Sequence, residues 1–256
     1  MCGDDRLILV TNDDGIRAEG LQALTTALTD LGRIVVVAPE LEQSASSHAI
    51  TLDKPLRINE YGTEHFGVSG TPTDCVLLAV WGILDRRPDL LVSGINRGPN
   101  MGEDVTYSGT VAAAIEGSIL GIPSIALSLA SWDPAPLEAA VDISRYLALQ
   151  ILEHEMTRGS LWNVNIPPLP REQLKGFRIT RLGSRVYNDM IIKKKDPRGK
   201  DYFWIGGGDP GWEAGEDTDF TAVTGGYISV TPLRLDMTDY KAIFDLKKWN
   251  LAWNGR

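Results

Sequence analysis

Leu7-Ile8-Leu9-Val10-Thr11-Asn12-Asp13-Asp14-Gly15 sets four aliphatic residues directly before four polar ones and a glycine. A continuous apolar run this short marks a parallel strand buried on both faces, whereas a half-exposed strand would alternate. The polar group then falls at the strand's carboxyl end, where open α/β sheets bind their ligands. Downstream, Leu21, Leu24, Leu28 and Leu31 recur at helical spacing. Residues 34–38 form a second buried strand that Pro39 closes, and residues 66–69 another strand. Thr71-Pro72-Thr73-Asp74 carries a helix start, with Thr71 as N-cap, Pro72 in the first helical position and Asp74 reaching back. Residues 90–93 read as a strand, 110–120 as a helix rich in small residues closed by Gly121, 124–127 as a strand and 137–154 as a helix. Trp162-Asn163-Val164-Asn165-Ile166 is a last core strand. The alternation predicts an α/β fold with a doubly wound, mainly parallel sheet.

The pattern changes after about residue 160. Residues 177–235 carry β-like segments around Lys193-Lys194-Lys195 and a glycine-rich stretch, which reads as a hairpin region reaching away from the core with the lysines at a solvated tip. Residues 240–253 read as a terminal helix. The expected division is a catalytic core over 1–176 and a β-rich carboxyl-terminal arm with a terminal helix over 177–256. Such arms dock on, or swap with, a second subunit, so the arm is assigned to oligomerisation.

The chain has 256 residues and a formal net charge of -9. An acidic surface repels a nucleic-acid backbone, which makes long DNA or RNA a poor partner without excluding a small phosphorylated ligand. Cys2 and Cys75 are far apart, which argues against a zinc site or a disulfide framework. No apolar run is long enough to cross a membrane, and residues 1–6 lack the basic and apolar regions of a signal peptide. The expected location is cytoplasmic.

Three post-strand loops gather the chemistry: Thr11-Asn12-Asp13-Asp14-Gly15, Glu40-Leu41-Glu42-Gln43-Ser44, and Gly94-Ile95-Asn96-Arg97-Gly98-Pro99-Asn100. Their carboxylates, hydroxyl and amides form an oxygen-rich set that suits Mg²⁺ or Mn²⁺ better than zinc. Past the strand end, Asp13 and Asp14 can both address one ion, or one can bind while the other orients water; the alternative is that they cap the helix near Glu19. Tyr107-Ser108-Gly109-Thr110 opens the small-residue helix, where N–H groups and hydroxyls make either an anion site or a plain N-cap. Together these features point to phosphoryl chemistry, with the metal polarising phosphoryl oxygens and donors at the helix start stabilising the transferred charge.

Other signals carry less. Gly206-Gly207-Gly208-Asp209-Pro210-Gly211 fits the letters of a dinucleotide-binding pattern, but no apolar helix follows and Pro210 obstructs one. Met1-Cys2-Gly3 has the letters of an amino-terminal cysteine nucleophile, but Gly3-Asp4-Asp5 reads as a solvated tail, which argues against it. Asn12 stands where an aspartyl-phosphate enzyme would have its nucleophilic Asp, which argues against that intermediate. His48 lies in the second loop, where a proton-transfer role competes with a structural one, and His154 reads as surface or packing.

The chain resembles the survival protein E nucleotidases over roughly residues 6–240. The motifs are residues 8–16, Val36-Val37-Ala38-Pro39 with Gln43-Ser44, Gly70-Thr71-Pro72-Thr73-Asp74, residues 92–102 and 107–113, Asn163-Val164-Asn165-Ile166-Pro167, Asp196-Pro197-Arg198-Gly199, Thr218-Asp219, and residues 226–233. The resemblance implies a Rossmann-like core and one divalent metal ion per subunit, held by Asp13, Asp14, Ser44 and Asn96. It makes Asp13, Asp14 and Asn96 the catalytic set and places substrate at Asn12, Asn100, Ser108, Gly109 and Thr110. The implied activity is metal-dependent hydrolysis of nucleoside 5′-monophosphates, with 3′-nucleotides and polyphosphate as side substrates, in a homodimer or homotetramer built through the arm. The second loop departs from the family's more usual Asn-Gln-Ser-Gly: here it is Glu42-Gln43-Ser44-Ala45, which bears on loop shape and substrate preference. Two other classes compete: a non-catalytic nucleotide-binding regulator using the same crevice, which would bind without releasing phosphate, and an assembly protein in which Asp13 and Asp14 are dispensable.

Overall fold

The computed structural model describes residues 6–186, 191–205, 211–213, 215–249, 251 and 253. Readings that fall on Met1-Cys2-Gly3 and on residues 206–210 lie outside them.

The first strand, β1 (Leu7–Thr11), is buried at every position. Its odd and even residues enter different cores, as the two-residue period of a strand requires. Ile8 and Val10 join a cluster with Leu21, Leu24 and Leu28, while Leu7 and Leu9 join one with Cys75, Val76, Val111 and Ala113. Helix α1 (Glu19–Leu28) presents those leucines; Leu31 lies beyond its end but still reaches the core. There follow β2 (Arg33–Pro39), β3 (Ile58–Gly62), β4 (His65–Val68) and α2 (Pro72–Leu78). The expected capping box at Thr71 and Asp74 is formed in full.

Next come β5 (Leu90–Arg97), α3 (Gly109–Ile119), β6 (Ser124–Leu129), α4 (Glu138–Glu153) and β7 (Ser160–Ile166). The carboxyl-terminal elements are β8 (Phe177–Ile179), β9 (Arg185–Val186), β10 (Ile191–Lys195), β11 (Asp201–Ile205), β12 (Gly211–Trp212), α5 (Asp219–Thr224), β13 (Ile228–Arg234) and α6 (Tyr240–Lys247).

Nine strands form one sheet in the order β3-β4-β2-β1-β5-β6-β7-β13-β8. The run from β4 to β7 is parallel; β3 pairs antiparallel with β4 and β13 antiparallel with β7, while β8 lies parallel to β13. Residues of α1 and α4 share one core cluster and residues of α2 and α3 the other, so the sheet is doubly wound as expected. The chain leaves β1 toward β2 and later returns to place β5 on the other side of β1, which makes the β1/β5 boundary the switch point where such sheets bind ligands.

Three readings change. The strand expected over residues 90–93, β5, does not stop at Ser93. It continues to Arg97, with a register irregularity between Ser93 and Asn96, because Asn96 and Arg97 still pair with Ser128 and Leu129 of β6. Gly94 stands first in the loop expected after residues 90–93. Its φ of 137° and the backbone of Leu127 against it show a glycine serving close strand approach instead.

Secondly, of the stretch 177–256 read as an arm, β8 and β13 are strands of the large sheet, whereas β10–β11 and β12–β9 form separate two-stranded pieces. Lys193, Lys194 and Lys195 lie within β10 rather than at a tip. The reversal falls on Asp196-Pro197-Arg198-Gly199, where Asp196 Oδ1 accepts from Arg198 N at 2.8 Å and Lys200 N at 2.9 Å and Gly199 sits at φ 81°. Turn chemistry of this kind outranks charge as a tip signal. Thirdly, the terminal helix stops at Lys247 and buries no residue.

Candidate active site

The loop after β1 is a closed turn. Gly15 N donates to Asn12 Oδ1 at 3.2 Å, and Asn12 Nδ2 donates to Gly15 O at 3.1 Å. Gly15 adopts φ 102°, which a side chain would strain. Ile16 N donates to Pro39 O at 2.7 Å and Gln43 N to Asp13 O at 2.8 Å, so the loop is fastened to the end of β2 and to the second loop. The amide of Asn12, which the family resemblance places at the substrate, is fully buried and holds this turn.

Asp13 is nearly buried. Its Oδ1 accepts from Thr110 Oγ1. Gly109 lies so close that a Cβ there would stand 2.7 Å from Asp13 Cβ and 3.0 Å from Asp13 Oδ2. Ser108 caps α3 by accepting from Val111 N at 3.1 Å. The start of α3 is therefore packed against the Asp13 carboxylate. The second loop is docked there as well, with Ser47 N donating to Tyr107 O at 3.0 Å and Ser47 Oγ to Thr106 O at 2.7 Å. These bonds bring Asp13, Asp14, Gly109 and Thr110 together.

Burial pushes the Asp13 carboxyl up from its ordinary value, against the pull of the Thr110 hydrogen bonds. Asp14 is pushed up to about 6, first by burial and then by the Asp13 charge, with a hydrogen bond from the Arg97 backbone opposing. Glu42 raises both. The Arg97 side chain offers little relief because its guanidinium pairs with Glu19. Adjacent carboxylates removed from water, with a third acid near and no strong cation against them, call for positive charge.

The remaining candidates are arranged around this pair. Asn96 is buried, and its Nδ2 donates to Gly98 O at 2.9 Å. Ser44 is exposed and donates to Glu42 Oε1 at 2.7 Å, so the hydroxyl expected at a metal is engaged by the very residue at which the second loop departs from the family pattern. Asn100 is held from three sides: its N donates to Asn165 Oδ1 at 2.8 Å, its Nδ2 to Ser128 Oγ at 2.8 Å, and its O accepts from Asn163 and Asn165. Gly102 N donates to Asp219 Oδ2 at 2.8 Å, while Asp219 Oδ1 accepts from Gly183 N and Phe220 N.

Asn163, Asn165, Ser128 and Asp219 were not singled out from sequence as site residues. Asn163 and Asn165, two residues apart in a buried strand, carry the available signal, since that spacing puts both amides on one face. His48 bonds to Glu116 at 2.8 Å, which favours its structural reading over a role in proton transfer.

Among the described residues no group of three or more His, Cys, Asp or Glu forms a metal cluster. The donors that Asp13, Asp14, Ser44 and Asn96 offer are all oxygens. Hard cations such as Mg²⁺ need only one or two carboxylates, with water and substrate phosphate completing the shell. The desolvated pair fits such an ion.

Comparison with known proteins finds relatives over nearly the whole chain. Residues 8–189 match the family model described as Survival protein SurE. A 5′-nucleotidase SurE of Geotalea daltonii is 49% identical over 245 residues, covering 95% of this chain and 99% of that protein. One from Gemmatimonas aurantiaca is 50% identical over 248 residues, with 94% and 98% covered. The crystal structure of the SurE protein from Aquifex aeolicus superposes with a TM-score of 0.87 at 44% identity, covering 96% of this chain and 100% of that one. The chain belongs to the survival protein SurE family.

Proposed function

We propose that this protein is a 5′-nucleotidase, hydrolysing the phosphomonoester of nucleoside 5′-monophosphates at Asp13 and Asp14 with one divalent cation per subunit. The observation that carries the reading is the pair of adjacent, desolvated carboxylates at the β1/β5 switch point with the start of α3 against them. The relatives named above, called 5′-nucleotidases, support the reaction class. Hydrolysis of 3′-nucleotides and polyphosphate belongs to the same reading, since one phosphoryl site serves all three.

In this reading Asp13, Asp14, Ser44 and Asn96 hold Mg²⁺ or Mn²⁺, with Ser44 turning from Glu42 to the ion. When bound, the cation polarises the phosphoryl oxygens and offsets the negative charge gathered there. Thr110 fixes the Asp13 carboxylate through its hydroxyl. Ser108 accepts from Val111 N, which leaves its own hydroxyl proton free to donate to a phosphoryl oxygen. The N–H groups at the start of α3 add to that donor set as charge develops on the transferred group. Asn100, held by β6 and β7, presents a fixed edge to the substrate. Asp13, Asp14 and Asn96 form the catalytic set, and Asn12 supports them through the turn it closes.

The β10–β11 hairpin carries Ile191, Phe203, Trp204 and Ile205 exposed. An isolated two-stranded hairpin is marginal in water. We infer that it docks on a second copy, in a homodimer or homotetramer, and that within residues 177–256 the hairpin pieces supply the oligomer contacts, while 1–176, completed by β8, α5 and β13, form the catalytic core. Among the described residues no helix is long and apolar enough to cross a membrane. A cytoplasmic location belongs to the same proposal.

The test is phosphate release from a panel of nucleoside 5′- and 3′-monophosphates with Mg²⁺ or Mn²⁺, and again with EDTA. Release that EDTA abolishes and metal restores is the expected result. AMP or GMP binding without release would favour the regulator reading.

A further inference from the structure

Trp132 follows β6 at the carboxyl ends of the parallel strands, the end that also carries Asp13, Asn96 and Asn100, and it is 77% exposed. The segment bearing it is nevertheless well held. Ala130 N donates to Ile166 O at 2.8 Å, Ser131 N to Leu129 O at 2.7 Å, and Ser131 Oγ to Asp133 O at 3.0 Å. The six-membered half of the indole lies over Gly98: a Cβ on Gly98 would fall 2.6 Å from Cε3 and 2.7 Å from Cη2 of Trp132.

Gly98 is itself fixed, its N donating to Leu129 O at 3.0 Å and its O accepting from Asn96 Nδ2 at 2.9 Å. It stands midway between Asn96 and Asn100. The glycine thus leaves room for the indole, which rests on the backbone of the site loop and leaves most of its surface to water. A large apolar ring in that position adds little to the core, since burial is what makes tryptophan stabilising. It offers a rigid π-surface beside a phosphoryl site, and bases stack on such surfaces without needing a hydrogen-bond code.

We propose that Trp132 is the platform on which the base of the nucleotide stacks while its phosphate sits at Asp13 and Asp14. This rests on the nucleotidase reading and adds to it a residue that discriminates nucleotides from phosphates lacking a base. Stacking tolerates every base, so the platform selects for a base rather than among bases.

The experiment compares wild type with Trp132→Ala and Trp132→Phe on AMP, UMP and ribose 5-phosphate. Far-UV circular dichroism monitors the fold, which an exposed side chain should not disturb. For Trp132→Ala, kcat/KM on both nucleotides should fall about 5- to 20-fold, mainly through KM, the lower part of the range for a base–aromatic stack. Ribose 5-phosphate should be unaffected and Trp132→Phe should recover most of the loss. Unchanged kinetics on the nucleotides would overturn the proposal, and so would an equal loss on ribose 5-phosphate, which would make Trp132 a prop for the Asn96–Asn100 loop. If the wild type releases no phosphate from any substrate, the nucleotidase reading fails separately. Calorimetric binding of AMP against ribose 5-phosphate then decides the platform, which requires an AMP preference that Trp132→Ala removes.

Discussion

Replacing Asp14 by Asn should stabilise the metal-free protein while abolishing its activity. The Asp14 carboxyl rises from an ordinary 3.8 to about 6 on folding, by burial and the Asp13 charge. A group whose folded pKa is raised holds its proton more tightly in the folded state, so stability falls as pH climbs from about 4 to about 6 and the full penalty remains above that. At about 1.4 kcal/mol per pKa unit the penalty reaches about 3 kcal/mol. Asp14 is only partly buried, and solvent screening reduces this to about 1–2 kcal/mol. Asn has the same shape, keeps an acceptor for the Arg97 N–H and carries no charge. For a chain of this size 1 kcal/mol moves Tm by about 2–4 °C, so EDTA-treated Asp14→Asn should melt about 2–8 °C above wild type at pH 8 and level with it near pH 3.5. Scanning fluorimetry across that range reads both ends. A lower Tm for Asp14→Asn at pH 8 would refute the claim that the site is electrostatically strained without its ion.

Other perturbations follow from particular contacts. Gly109→Ala puts a methyl 2.7 Å from Asp13 Cβ, so Asp13 or the start of α3 must move; overpacking of this kind costs about 1–3 kcal/mol, and turnover should drop at least about tenfold in a phosphate-release assay. Asp219→Ala leaves the N–H groups of Gly102, Gly183 and Phe220 without their acceptor in a buried site. That should cost about 3 kcal/mol, visible as a lower urea midpoint. Phe203→Glu with Ile205→Lys charges the exposed edge of the β10–β11 hairpin; light scattering should show a smaller assembly with the core Tm retained, and an unchanged mass would count against docking through the hairpin.

The core of this fold was legible because its strands are uniform. The buried run at Leu7–Val10 and the leucine spacing of α1 leave little competition, and the Thr71-Pro72-Thr73-Asp74 box forms as the residues dictate. Legibility failed where one residue type serves two purposes. A glycine after an apolar run commonly opens a loop, yet β5 continues through Gly94, because close approach to Leu127 also demands glycine. The carboxyl-terminal strands were hard to apportion because β8 and β13 join the large sheet by pairings far from their sequence neighbours, information that local pattern does not contain. Asp13 and Asp14 were visible as strand-end carboxylates. The partners that hold the site, Asn163, Asn165 and Asp219, reach it from 63, 65 and 117 positions away along the chain; the spacing of Asn163 and Asn165 marks two amides on one strand face, but nothing in the local pattern shows what they hold.

The most direct measurement is phosphate release from AMP in Mg²⁺ or Mn²⁺ by wild type beside Asp13→Asn, with both proteins shown to be folded. The account predicts metal-dependent release by wild type and a loss of at least about a hundredfold in the variant, because Asp13 helps to hold an ion whose Lewis acidity is worth several kcal/mol. Near-normal release by Asp13→Asn would contradict it.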